Sequence, residues 1–207
     1  MHSLWRIFTI GLFLGVFSCA IAKAPLIVLD AGHGGKNIGA RGQSPYCEEK
    51  KVCLITALLT KQHLQKLGYR VSLTRKSDVF LSLKRRVNIA KKLRAAAFIS
   101  LHYNACADRK VRGIEVFYFN GKNRRSQRSF SLAKNVLTKL VRRTKAKSRG
   151  VKKGSFYVIR HTTMPAILVE GGFISNPQER KKLRSRSYIN QIAKAIAEGI
   201  HSYMKTK

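Results

Sequence analysis

The sequence predicts an α/β fold: a single domain with a mixed, mostly parallel sheet flanked by helices on both faces. Two observations carry that expectation. Short β-rich runs alternate with longer segments whose apolar residues recur at helical spacing. Three apolar runs also end alike: Ile27-Val28-Leu29 leads into Asp30 and His33, Phe98–Leu101 into His102 and Asn104, and Ala166–Val169 into Glu170. Strands whose carboxyl ends share one edge of an open sheet place their polar followers together in this way. With 207 residues and 44% apolar side chains, the chain has the length and composition of one domain with its own core.

The first stretch stands apart from that domain. Arg6 supplies a positive start, Ile7 to Phe17 is an apolar run too short to span a bilayer, and Ala20-Ile21-Ala22 and Ala22-Lys23-Ala24 both read as cleavage sites. Residues 1–24 therefore read as a secretory signal peptide and residues 25–207 as the folded domain, periplasmic or exported. An uncleaved membrane anchor is the alternative. Ser18-Cys19 resembles the end of a lipobox, but Phe17 is bulky where a small residue is usual, so lipid anchoring through Cys19 is the minor reading.

Within the domain, Leu26–Leu29 is a buried strand ended by Asp30-Ala31-Gly32, and the glycine-rich stretch from Gly34 to Pro45 is a loop. Val52, Ile55, Leu58, Leu59 and Leu67 mark a helix from about Glu49 to Leu67, stopped by Gly68. Arg70–Thr74 is a strand, Leu83, Val87, Ala90 and Leu93 mark a second helix, and Phe98–Leu101 is the next strand. Ile114–Phe119 is rich in β-formers, Phe130 to Val141 is helical, and Phe156–Ile159 and Ala166–Val169 read as short strands. Ile189, Ile192, Ala193, Ile196, Ile200 and Tyr203 form the best amphipathic stripe.

The charge is extreme: 42 Lys and Arg against 9 Asp and Glu, a formal net charge of +33. Without residues 1–24, which hold Arg6, Lys23 and no acid, 40 basic and 9 acidic side chains leave +31. Such a charge implies an anionic partner. The export signal argues against nucleic acid and points instead to an anionic envelope surface. Three cysteines remain, Cys47, Cys53 and Cys106, an odd number for an oxidising compartment. Their spacing matches no zinc finger, and Cys53 sits in the helical apolar pattern as a small buried hydrophobe.

In a chain so poor in acids, a carboxylate just past a strand needs an explanation, and a metal or a cleft supplies one. A helix N-terminus is another, and it applies to Glu48 and Glu49. Two histidines and a carboxylate with an open fourth position form the usual catalytic zinc arrangement, with a second carboxylate as base. His33 and His102 are the candidate ligands, which leaves Glu49 and Glu170 to divide the ligand and base roles.

Five blocks then appear in order. They are Leu29-Asp30-Ala31-Gly32-His33-Gly34-Gly35 with Gly39-Ala40-Arg41-Gly42; Glu49 to Leu54; Thr74 to Leu83; Phe98 to Ala105; and Met164 to Pro177. They resemble the zinc-dependent N-acetylmuramoyl-L-alanine amidases of the AmiA/AmiB/AmiC type (the amidase 3 family) over nearly all of residues 26–204. The resemblance implies a peptidoglycan hydrolase with a role in cell division, acting on peptidoglycan or its precursors. It would cut the amide between the lactyl group of N-acetylmuramic acid and L-alanine of the stem peptide. It implies Zn2+ held by His33, Glu49 and His102, with Glu170 catalytic; Arg75, Asn104 and Asn176 are candidates for shaping the substrate groove. A monomer is expected, and the resemblance admits an activator protein. Some members carry a long insertion after the strand near Ile114 that blocks the zinc; here only Asn120 to Arg128 fills that place, so no built-in inhibitory helix is expected. Cys47 and Cys106 both fall near the implied metal site, which suggests a disulfide between them.

Other readings remain open in the sequence. A zinc peptidase cutting within the stem peptide would need the same residues. A serine-type penicillin-binding activity would use Ser131 and Lys134 of an S-x-x-K pattern, with Lys152-Lys153-Gly154-Ser155 as second element, although Ser202-Tyr203-Met204-Lys205 also matches the pattern and no S-x-N element exists. A basic wall-binding protein without catalysis is the reading of another class.

Overall fold

The apolar run at the start of the domain forms strand β1 (Leu26–Ala31), and a two-stranded ribbon, β2 (Arg41–Gly42) and β3 (Cys47–Glu48), leads into helix α1 (Glu49–Lys66). Val52, Cys53, Ala57, Leu59 and Leu64 are the buried apolar stripe of α1. Gly68, at φ 85°, ends it in a Schellman turn, with Gly68 N–H on the carbonyl of Gln65 and Tyr69 N–H on that of Leu64. The chain continues through β4 (Arg70–Leu73), α2 (Leu83–Lys92), β5 (Ala97–Asn104), β6 (Ile114–Tyr118), α3 (Arg124–Thr144), β7 (Ser148–Lys153), α4 (Tyr157–Arg160), β8 (Ala166–Phe173), α5 (Pro177–Leu183) and α6 (Arg186–Lys205). Ser82, Asn123, Asn176 and Ser185 cap α2, α3, α5 and α6, each accepting a first-turn N–H. The computed structural model describes residues 24–42 and 46–206; the expected export signal, Cys19 included, lies outside them except for Ala24.

The sheet order is β4-β1-β5-β8-β6-β7. β4, β1, β5 and β8 are mutually parallel, β6 runs antiparallel to β8, and β7 follows β6 in parallel. This is the α/β, mostly parallel architecture that the sequence predicts. Residues of one parity, Ile27, Leu29, Ile99, Leu101, Ile167 and Val169, face α1, α3 and α6 in the larger core. The other parity, Val28, Phe98, Ala166 and Leu168, packs with Val87 and Ala90 of α2 and Val158 and Ile159 of α4 in a smaller one. Asp30, Ser100, His102 and Glu170 have that second parity and lie at the carboxyl ends of their strands. Among the described residues no helix is long and apolar enough to cross a membrane.

Three expectations change. Phe156–Ile159 is not a strand: Phe156 precedes the single turn α4. The strand there is β7, whose sequence Ser-Arg-Gly-Val-Lys-Lys, at the sheet edge, carries too few apolar residues to signal it. The helix expected from Phe130 to Val141 runs from Arg124 to Thr144, because Asn123 caps it two turns earlier than the apolar stripe begins. The Cys47–Cys106 disulfide is not formed: all three described cysteines are free thiols, Cys47 buried in the larger core and Cys106 exposed on the loop after β5. Cys53 is fully buried in α1, as its place in the helical pattern predicts.

Candidate active site

Three segments bring three side chains to one point. His33 follows β1 in a tight loop and is held at φ 58°, a left-handed conformation uncommon for a side chain of its size. Glu49 is the first residue of α1, and His102 lies near the end of β5. Glu49 Oε1 is 2.9 Å from His33 Nε2 and 2.9 Å from His102 Nδ1, and the two ring nitrogens are 3.1 Å apart. The three donor atoms form the one His/Cys/Asp/Glu cluster with metal-ligating geometry among the described residues. Two imidazole nitrogens and a carboxylate oxygen meeting at one point are a donor set that zinc takes readily.

The surroundings fix each donor. His33 Nδ1–H donates to Asn37 Oδ1 at 2.9 Å, which selects the tautomer that leaves Nε2 as a lone pair facing the cluster. Glu49 is held by N–H groups of Ala40 on Oε2 (2.8 Å) and Tyr103 on Oε1 (3.1 Å). Burial alone would raise its pKa, but the hydrogen bonds and charges of His102 and His33 bring it far below the ordinary carboxylate range. Glycine is required twice. A Cβ on Gly32 would sit 2.3 Å from the His102 ring, and one on Gly39, already at φ 70°, would sit 2.5 Å from Glu49 Oε2. Glu48 turns away, to the Tyr46 hydroxyl and to Lys51 Nζ at 3.0 Å.

Glu170 is the residue of β8 in register with His102. It is buried, and its Oε2 has no hydrogen-bond partner among the described residues. Burial first, then the charges of Glu49 and Glu115, pushes its carboxyl well above the usual value. A raised pKa makes the ionised form a stronger base than an ordinary glutamate. A cleft of about 280 Å³ opens beside His33 and His102, walled by Phe80, Leu81, Phe156 and Tyr157.

Each expected groove residue is engaged by the protein itself, and of the three Asn176 also lines a groove, beside Arg109 and Gln178. Arg75 is 3% exposed, and its guanidinium donates to the carbonyls of Ala31, Gly32, Lys50 and Ser77, so it pins the His33 loop to α1. Asn176 caps α5 and donates Nδ2 to the carbonyl of Arg109. Asn104 stays at the site but is engaged, its Nδ2 on Glu115 Oε1 at 2.8 Å. Ser131 and Lys134 are not brought there: α3 packs with α6 on the opposite face of the sheet from His102 and Glu170. Sequence reasoning passed over Asn37, Glu115, Phe156 and Tyr157. Glu115 was within reach of the argument from acid scarcity, since it is one of only nine acids and sits in a β-rich run.

The connection from β6 to α3 is residues 119–123, and the rest of the expected Asn120–Arg128 stretch is the start of α3. Similarity to known proteins agrees with the geometry. The N-acetylmuramoyl-L-alanine amidase family matches residues 27–202. An uncharacterized Bacillus subtilis protein, YqiI, is 35% identical over 98% of both chains. The N-acetylmuramoyl-L-alanine amidase AmiC of Neisseria meningitidis is 34% identical over 89% of this chain, which spans about half (54%) of that relative's length. The catalytic domain of CwlV, an N-acetylmuramoyl-L-alanine amidase of Bacillus (Paenibacillus) polymyxa, superposes with a TM-score of 0.82 at 37% identity, covering 88% of this chain and 99% of that one. The chain therefore belongs to the N-acetylmuramoyl-L-alanine amidase family of peptidoglycan hydrolases.

Proposed function

We propose that the protein is an exported, zinc-dependent amidase that cuts the bond between N-acetylmuramic acid and L-alanine of the stem peptide, with His33, Glu49 and His102 holding the metal and Glu170 acting as base. The convergence of those three donors beside a buried glutamate whose Oε2 has no partner among the described residues carries the reading. A zinc ion there supplies a Lewis acid for the scissile carbonyl and lowers the pKa of water. The residues do the rest. Asn37 holds His33 in its ligating tautomer, and Ala40 and Tyr103 hold Glu49 in place. Glu170 accepts the proton of the attacking water and returns it to the leaving nitrogen as the C–N bond breaks. The short β6–α3 connection leaves activity limited by metal and not by a covering segment. The basic surface holds the protein to the anionic envelope.

Digestion of purified peptidoglycan by residues 25–207, with and without zinc, tests this directly. Free peptides beginning at L-alanine, abolished by chelation, are the expected products. Fragments cut within the stem peptide would move the protein to the peptidases, and no products with zinc-loaded protein would leave a wall-binding protein.

A further inference from the structure

The edge that carries the reaction site continues past Glu170. Because β6 runs opposite to β8 and β7 follows β6, the amino-terminal ends of β6 and β7 lie at the same edge as the carboxyl ends of β5 and β8. The segments leading into β6 and β7, with residues 176–178 after β8, enclose a groove of about 760 Å³. Arg109, Lys110, Arg112, Lys147 and Arg149 line it against one acid, Asp108. Asp108 Oδ1 already accepts the N–H of Lys110 at 2.8 Å. Of the five cations only Arg149 is ion-paired among the described residues, with Glu115 at 2.9 Å, and Arg112 reaches only the neutral amide of Gln178 at 3.2 Å.

Arg149 joins the groove to the reaction site. Its partner Glu115 is 3% exposed and is the cross-strand neighbour of Glu170. Glu115 also accepts from Asn104 at 2.8 Å and Lys152 at 2.6 Å. One buried carboxylate thus ties the strand of His102 to β7 and the wall of the groove, from the strand that pairs with that of Glu170. Basic residues are abundant over the whole chain, so composition does not single this place out; shape and position do. A concave site with low-dielectric walls focuses the field of its cations. The cleft beside His33 and His102 is walled instead by the rings of Phe80, Phe156 and Tyr157 and shares no lining residue with the groove. The surroundings of the site are therefore polarised, with an apolar cleft and a separate cationic groove.

We infer that this groove binds the acidic half of the substrate, the free carboxylates of the stem peptide, while the uncharged glycan half lies toward the aromatic cleft. The inference rests on the amidase reading and adds to it an orientation and a preference for peptides with free over amidated carboxylates. Arg109, Arg112 and Arg149 offer the planar donors that carboxylates take in pairs, and Lys147 adds a point charge.

Calorimetric titration of the zinc-loaded mature protein with synthetic stem peptides beginning at L-alanine tests it, using one peptide with every other carboxylate free and one with each of them amidated. The variant Arg112→Glu/Lys147→Glu is compared with Lys91→Glu/Lys92→Glu, which makes the same change of charge on α2; Arg112→Gln/Lys147→Gln repeats the comparison should the reversal disturb folding. Wild type and the α2 variant should bind the free-acid peptide at least about tenfold more tightly than the amidated one, and the groove variant should lose that preference. On a muramoyl-peptide substrate the groove variant should raise KM about tenfold with kcat nearly unchanged. Equal losses for both peptides, or an equal loss in the α2 variant, would overturn the assignment in favour of general charge. Unchanged peptide affinity with lost retention on an anionic wall polymer would overturn it in favour of a polyanion surface. The amidase reading is scored separately, by release of L-alanine-terminated peptides from sacculi by the wild-type protein.

Discussion

Asp30 and Glu170 are both buried carboxylates on one face of the sheet, on the two strands that flank β5, yet their surroundings are opposite. Asp30, in register with Ser100, has both oxygens engaged: Oδ1 accepts from Thr74 Oγ1 (2.7 Å) and Arg86 Nη1 (2.8 Å), and Oδ2 from Ser100 Oγ (2.7 Å). Burial would raise its pKa, but the Arg86 charge and these hydrogen bonds outweigh it and hold the group below the ordinary value. Glu170, in register with His102, has an oxygen with no partner among the described residues and two like charges nearby, and its pKa is raised. A buried acid with both oxygens engaged suits a scaffold, whereas one with an unsatisfied oxygen beside a cluster of ligating side chains is a candidate reagent. Arg86 makes the first role concrete, because it also donates to the carbonyls of Ala31 and His33 and so carries the His33 loop on Asp30.

The largest effect should separate the two acids. Glu170→Gln should lower hydrolysis of sacculi by about 10²–10⁴-fold while leaving the melting temperature and zinc content near wild type. Wild-type rates in that variant would remove Glu170 from the chemistry. Loss of Asn37 is the next test: Asn37→Ala frees the His33 tautomer, and zinc affinity measured by competition with a chelator should fall about 10–100-fold. An unchanged affinity would mean that the contact does not orient the ligand.

Asp30→Asn should do the opposite of Glu170→Gln. It leaves the Arg86 charge buried without its partner, which costs about 3–5 kcal/mol and should lower the melting temperature by roughly 10 °C. A melt within a degree or two of wild type would show that the pair contributes little. The pH dependence has a definite sign. The native state holds Asp30 ionised below its unfolded pKa of about 3.9, so this stabilisation is complete above that pH and is lost as pH falls toward the depressed native value. The gap in stability between wild type and Asp30→Asn should therefore be wide at neutral pH and close on acidification below about pH 4. A gap independent of pH would assign the loss to packing. The smallest effect concerns neither acid: retention on wall material should weaken as salt rises, because exposed charges are screened over about 8 Å at physiological ionic strength.

Much of this contrast was legible in the sequence and part of it was not. The apolar runs ending in Asp30, His102 and Glu170 announced the parallel strands and the edge they share, since burial on both faces writes unbroken apolar segments. β7 was hidden because an edge strand needs little apolar sequence, and Phe156 and Tyr157 imitate a strand where only one helical turn forms. Of the site, both histidines and both glutamates were visible as residues. The division of roles between Glu49 and Glu170 came from the family resemblance and not from pattern. What separates Asp30 from Glu170 lies in Arg86, 56 positions from Asp30, and in the lack of an equivalent cation on Glu170 among the described residues. Long-range partners of that kind leave no local periodicity. The scaffold contacts of Arg75 and Asn176 are invisible in the sequence in the same way, because their acceptors are backbone carbonyls brought in by the fold.

The central claim, that the His33–Glu49–His102 cluster holds the metal while Glu170 moves the proton, is tested most directly in one sample. Zinc-loaded Glu170→Gln protein would be incubated with purified sacculi, its metal content measured, and the released products identified by mass. The account predicts one zinc per chain and almost no released peptide beginning at L-alanine. Such peptides appearing at the wild-type rate would contradict it.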